Sequence, residues 1–270
     1  MISKESYTEL YNKTFENLLA GNCYQLNLTS QLKFKIEDVD ILEKSFSSAQ
    51  IFDHLCEFAH LVNLPLQDRL IISNSPECLY EYSREDKKLV TRPIKGTVRV
   101  EQGADAFKND IKNESELNII TDLLRNDLSR IGENFSIVEA QKEIFEVPGL
   151  IHQYSKISVE CHDFNSVKVL KSIYPGGSIT GAPKKRVLKL INSIEKGTRG
   201  IYTGSTVVNL HNINKASINI RTLVVSKSSN HAVYGAGGGI TLLSSAHGEY
   251  FELLDKANSF LKVFFKDVKL

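Results

Sequence analysis

Gly21-Asn22-Cys23-Tyr24-Gln25-Leu26-Asn27-Leu28-Thr29-Ser30-Gln31-Leu32-Lys33-Phe34-Lys35-Ile36 is the stretch on which the fold turns. Tyr24, Leu26, Leu28, Leu32, Phe34 and Ile36 alternate with Gln25, Asn27, Thr29, Gln31, Lys33 and Lys35. That period predicts a long strand with one face on a core and the other on solvent or a cleft. Gln25 belongs to the polar face. Upstream, Tyr7, Leu10, Tyr11, Phe15, Leu18 and Leu19 recur at three- and four-residue spacing and meet Gly21, the pattern of an amphipathic helix with a glycine stop.

Downstream, Leu70 to Ile72, Cys78 to Tyr82 and Lys88 to Arg92 read as strands, with Ser83 to Lys87 as the turn. A hairpin centred near Asp86 brings Glu77 roughly opposite Lys95 or its neighbours, so an acid and an amine come within reach of one substrate. Residues 113 to 131 return to helical spacing, with Leu117, Ile120, Leu124, Leu128 and Ile131 on a stripe and Gly132 as the stop. Glu116 shares its side with Ile119, Ile120 and Leu123, so its carboxylate is partly buried or points into a cavity. Pro175 to Ala182 leads through Pro183 into a helix. Strand patterns follow at Gly204 to Leu210, Ser217 to Ser226 and His231 to Gly235. Gly237-Gly238-Gly239 then precedes a last helix with Tyr250, Leu253, Leu254, Ala257, Phe260 and Leu261 on its apolar side. The sum is one α+β domain over residues 1–270, dominated by antiparallel sheet.

Composition narrows the function classes. A chain of 270 residues can support a single core, and 41% hydrophobic against 24% charged residues argues against disorder. A net charge of +1 gives no basic field for nucleic acid. The sequence holds no apolar run of membrane-spanning length, and its first residues are too polar for a secretion signal, so a soluble, cytoplasmic protein is expected. Cys23, Cys56, Cys78 and Cys161 stand apart with no CxxC pair, which fits neither a disulfide framework nor a thiolate metal site.

Several side chains invite chemistry, each with a plainer alternative. Glu249, Glu252 and Lys256 lie on one side of the last helix, either as a solvated charged face or, with Glu116, as oxygen ligands for a hard cation such as Mg²⁺. The loop from Gly176 to Lys184 resembles a phosphate cradle, but Gly181-Ala182-Pro183-Lys184 is not the Walker pattern. Gly235 to Ile240 lacks the third glycine of a dinucleotide fingerprint. Arg221 is a surface residue of a half-exposed sheet or a bidentate carboxylate clamp. His152 is a proton-transfer group or a structural histidine.

Taken together, Gly21 to Leu28, Ser75-Pro76-Glu77, Arg92-Pro93-Ile94-Lys95-Gly96-Thr97, Asp122-Leu123-Leu124-Arg125-Asn126-Asp127, Pro175 to Lys184, Ala216 to Leu223 and Gly235 to Lys256 resemble the chorismate-utilising enzymes, in the family's order along nearly the whole chain. The resemblance implies antiparallel sheets packed in a sandwich with helices outside. It also implies a catalytic domain lacking the N-terminal region and tryptophan site of longer relatives. Within the family, Gln25 stands where water-adding members carry a basic lysine, and Pro-Ile-Lys-Gly-Thr is the form of aminodeoxychorismate synthase component I. The implied activity is transaminase-class amination of chorismate to 4-amino-4-deoxychorismate, a precursor of para-aminobenzoate and folate. By the same resemblance Lys95 is the nucleophile, Glu77 protonates the leaving hydroxyl, and His152 and Thr180 are pocket residues. Gln25 lies in the same site. Tyr202, Arg221, Lys256 and the backbone at Gly237 hold substrate carboxylates, and Glu116 and Glu252 bind Mg²⁺, with Glu249 a near or water-mediated ligand. The chain has no second domain for glutamine hydrolysis, so ammonia is expected from a separate glutamine amidotransferase, with neither nucleic acid nor membrane as partner. The alternatives are anthranilate synthase component I or a non-catalytic chorismate-binding subunit.

Overall fold

A computed structural model describes residues 2–107, 110–147, 150–195 and 197–265. Its helices are α1 (Lys4–Leu19), α2 (Val39–Phe46), α3 (Ile111–Leu128), α4 (Ser166–Ile173), α5 (Lys184–Ile194) and α6 (Ala246–Phe264). Its strands are β1 (Gln25–Lys35), β2 (Phe58–Leu64), β3 (Arg69–Ser75), β4 (Cys78–Ser83), β5 (Lys88–Arg92), β6 (Ile94–Arg99), β7 (Ile137–Val147), β8 (Leu150–Glu160), β9 (Gly181–Ala182), β10 (Val207–Asn209), β11 (Asn214–Ser217), β12 (Thr222–Ser226) and β13 (His231–Ile240). They form two sheets, in the orders β2-β3-β12-β13-β1-β9 and β10-β11-β4-β5-β8-β6 with β7 paired to β8. The pairings are antiparallel.

Each sheet has its own core and its own helices. Leu26, Leu28 and Leu32 of β1 pack with Tyr234 of β13 beneath α1, α5 and α6, while Leu79, Leu89 and Ile157 pack beneath α3 and α4. Burying a side chain such as Leu26 or Ile157 stabilises by about 2 kcal/mol, so these apolar stripes dock the helices on their sheets. The starts of α1, α3 and α6 are capped by side chains. Ser3, Asp110 and Ser245 accept hydrogen bonds from the backbone N–H groups of Ser6, Asn113 and Gly248, each worth about 1 kcal/mol. Among the described residues no helix is long and apolar enough to cross a membrane. The four cysteines are buried and unpaired, in accord with their spacing.

The expected strand at residues 24–36 and its preceding helix are present, although Leu19 and Tyr24 are exposed at their ends. The helix placed at residues 113–131 ends three residues earlier, at Leu128. Two expectations fail more instructively. The triple glycine does not lie beyond the strand expected at His231 to Gly235. β13 continues through it to Ile240, because Gly237, Gly238 and Gly239 pair with Thr29, Leu28 and Asn27 of β1. Nor is 217–226 one strand. Ser217 ends β11, Thr222 begins β12 in the other sheet, and Arg221 between them has φ +50°.

Candidate active site

A cavity enclosing about 800 Å³ of space, its open mouth included, lies where the two sheets meet. Asn27 of β1 and the Tyr234–Gly239 segment of β13 contribute one wall, and Ile94, Lys95 and Gly96 of β6 with His152 of β8 contribute the other. Glu116 of α3 and Glu252 and Lys256 of α6 reach in from the helices.

Lys95 arrives there through a break in the ladder. The register of β6 on β8 shifts between Ile94 and Thr97, and Gly96 inside that bulge has φ +84°, where a side chain is strained. The bulge turns Lys95 inward, where it is 9% exposed and its Nζ lies 3.7 Å from Glu116 Oε2. On the adjoining hairpin Cys78 pairs with Arg92, which brings Glu77 beside Pro93 and Ile94 rather than directly across from Lys95. The acid and the amine still share the cavity. Burial raises the Glu77 pKa, against the pull of Ser178 and Lys95, and Glu77 Oε1 is buried without a hydrogen-bond partner. A buried carboxyl biased toward its protonated form, beside an amine, is a set suited to acid-assisted displacement.

The acidic residues converge, but on a lysine. Lys112, on the first turn of α3, places Nζ 2.6 Å from Glu249 Oε1, 3.5 Å from Glu252 Oε2 and 3.6 Å from Glu116 Oε1. Burial alone would lower the Lys112 pKa, yet Glu252, Glu249 and Glu116 outweigh it and raise it. Glu116 is raised by burial against the pull of Lys95 and Lys112. Glu252 is lowered, chiefly by Lys256, whose Nζ is 2.7 Å away. The expected i,i+4 pair therefore exists, facing the cavity. Among the described residues no three acidic, histidine or cysteine side chains are arranged as a metal site. The donor set nonetheless fits a hard divalent ion, with three carboxylates around one cationic centre and Glu249 Oε2 buried without a partner.

The triple glycine is what lets both groups approach one strand. A Cβ on Gly239 would lie 2.3 Å from Gln25 Nε2, 2.7 Å from Glu116 Oε2 and 3.2 Å from Lys95 Nζ. One on Gly238 would lie 3.0 Å from Glu249 Oε2. The Gly237 carbonyl accepts a hydrogen bond from Lys256 Nζ at 3.1 Å.

Four expected residues stand elsewhere or act differently. His152 is not poised for proton transfer. Its Nε2 lies 2.9 Å from Arg221 Nη2, and burial together with that guanidinium pushes its pKa down to about 3. A neutral ring accepting from Arg221 holds the clamp in place. Arg221 is thus neither a strand residue nor a surface one; it lines the cavity from a left-handed turn, a conformation that costs about 1 kcal/mol or more and persists where surrounding contacts impose it. Thr180 lies behind the wall, its hydroxyl donating to the Gly176 carbonyl at 2.8 Å. Gln25 also sits behind it and donates to Glu116 Oε2 at 3.2 Å, orienting that carboxylate. Tyr202 lines the cavity. Lys184 is engaged by Asp127 and the Ile173 carbonyl, which removes it from any phosphate cradle.

Sequence reasoning missed Lys112, Asn113, Asn27 and Ser178 as site residues. Lys112 was detectable, since it precedes Glu116 by one helical turn, and Asn27 continues the polar face of Gln25. Arg199 was not: it joins the carbonyls of Asn27 and Ile179 at 2.7 and 2.6 Å, a link between distant segments.

Residues 1–262 match the family model described as chorismate binding enzyme. The probable chloroplastic aminodeoxychorismate synthase of Oryza sativa is 31% identical over 97% of this chain and 30% of its own length. Aminodeoxychorismate synthase component 1 of Salmonella typhimurium is 30% identical over 94% of this chain and 56% of its own. The chain thus spans at most about half the length of these relatives. The crystal structure of anthranilate synthase component I from Streptococcus pneumoniae superimposes with a TM-score of 0.79 at 24% identity, over 96% of this chain and 58% of that one, a likeness of fold.

Proposed function

Since the chain belongs to the chorismate-binding enzyme family, we propose that it aminates chorismate at C4 to give 4-amino-4-deoxychorismate, the chemistry for which its Salmonella and rice relatives are named. One observation carries the reading: Lys95, bulged out of β6, and Glu77, a buried carboxyl with a raised pKa, line the same cavity. The Lys95 amine attacks C2, both ring double bonds shift (C1=C2 to C1=C6 and C5=C6 to C4=C5), and the C4 hydroxyl leaves as water with a proton from Glu77. Ammonia then attacks C4, both double bonds shift back, and the bond to Lys95 breaks. The net change is chorismate plus ammonia to aminodeoxychorismate plus water.

Arg221, steadied by His152, and Lys256, steadied by Gly237 and Glu252, hold the substrate carboxylates. Tyr202 closes the cavity beneath them. Glu116, Glu249 and Glu252 would hold Mg²⁺, which supplies positive charge to fix a carboxylate. Gln25 has no basic atom, which disfavours activation of water. Ammonia enters free or from a separate glutamine amidotransferase.

The test is product identification. The chain is incubated with chorismate, Mg²⁺ and ammonium, with and without a lyase that releases para-aminobenzoate. Aminodeoxychorismate supports the reading; anthranilate or isochorismate as the product refutes it.

A further inference from the structure

Lys112 stands where the acidic side chains expect an ion. Its Nζ is within 3.6 Å of one oxygen from each of Glu116, Glu249 and Glu252, and its side chain is 26% exposed near the start of α3, so it has a way out to solvent. We propose that Lys112 is a built-in counter-cation of this pocket, which holds the three carboxylates together in the ion-free protein and is displaced when a divalent cation binds. The proposal rests on the reading of these glutamates as Mg²⁺ ligands.

The two cations exclude each other on distance. Mg²⁺ takes its oxygens at about 2.0–2.1 Å, so an ion sharing these oxygens overlaps the space of an ammonium already touching Glu249. Without either, three carboxylates crowd one another; with Lys112 in place, buried Glu249 still keeps one oxygen with no partner. Exchange also changes the pocket's charge. Glu116, Glu249 and Glu252 are formally balanced by Lys95, Lys112 and Lys256, which touch them. Replacing Lys112 with a divalent ion leaves one positive charge over, which favours the arrival of an anionic substrate.

Mn²⁺ serves as the probe, with its free concentration followed by electron paramagnetic resonance at fixed pH. Lys112→Met, which keeps length and removes charge, should bind Mn²⁺ at least tenfold more tightly than the wild type, and Glu249→Gln should bind it more weakly. Equal or weaker binding by a folded Lys112→Met protein overturns the proposal. A wild type and a variant that both fail to bind Mn²⁺ overturn the metal reading itself. A second measurement needs no variant: trace acylation of the wild-type chain, with exposed Lys33 as internal reference. Labelling of Lys112 should rise several-fold at saturating Mg²⁺. Labelling unchanged by an ion shown to be bound refutes the displacement.

Discussion

Replacing Gly239 with alanine adds one carbon to a strand whose backbone tolerates it, yet that carbon lands among the reacting groups. At 2.3 Å from Gln25 Nε2 it is about 1 Å inside ordinary contact, and at 2.7 Å from Glu116 Oε2 it is also too close. Lys95 Nζ, at 3.2 Å, has to give by a few tenths of an ångström. All three atoms are the ends of flexible side chains, so the fold yields by moving them. Stability should fall by about 1 kcal/mol, within the range for overpacking. Catalysis depends on their positions: displacement of about 1 Å costs roughly a hundredfold in rate. The assay is ammonium-dependent chorismate consumption beside thermal unfolding. Turnover within about threefold of wild type, in a protein that carries the methyl group, would refute the placement of Lys95 and Glu116 at the reacting centre.

Lys95→Ala should abolish amination with little loss of melting temperature, since only a side chain on a bulge is removed; product formation by the folded variant sinks the nucleophile. Glu77→Gln should lower kcat by about 10²–10⁴, the usual worth of a positioned acid, with KM changed less. His152 gives a pH prediction. Its pKa is about 3 in the fold and about 6.5 unfolded, so the unfolded chain takes up a proton that the native ring refuses. This stability is fully present above about pH 6.5 and declines as pH falls toward 3, by up to about 1.4 kcal/mol per unit. Denaturant unfolding from pH 7 to 5 should therefore be less pH-sensitive in His152→Gln, and parallel curves would refute the neutral buried ring.

The strand at residues 25–35 was legible because its core side is apolar at every second position except Ser30, and α3 and α6 because their stripes follow the helical period. Glu77 and Lys95 could be brought near each other by counting from a turn at Ser83–Lys87, but the bulge at Lys95–Gly96 leaves no pattern beyond a glycine. The triple glycine misled because residues without side chains carry no alternation; its strand state comes from pairing with β1, more than two hundred residues earlier in sequence. Arg221 and His152 each read as isolated residues. Their meaning is the 2.9 Å contact that joins two segments sixty-nine positions apart.

The central claim, that Lys95 bonds to the chorismate ring, is tested most directly by mass spectrometry of the intact chain mixed with chorismate and Mg²⁺ in the absence of ammonia. A gain equal to chorismate less one water, mapped to the peptide containing Lys95 and discharged as aminodeoxychorismate when ammonium is added, is the predicted result. Continued amination with no adduct on Lys95 under conditions that trap it, or an adduct on another residue that turns over, would contradict it.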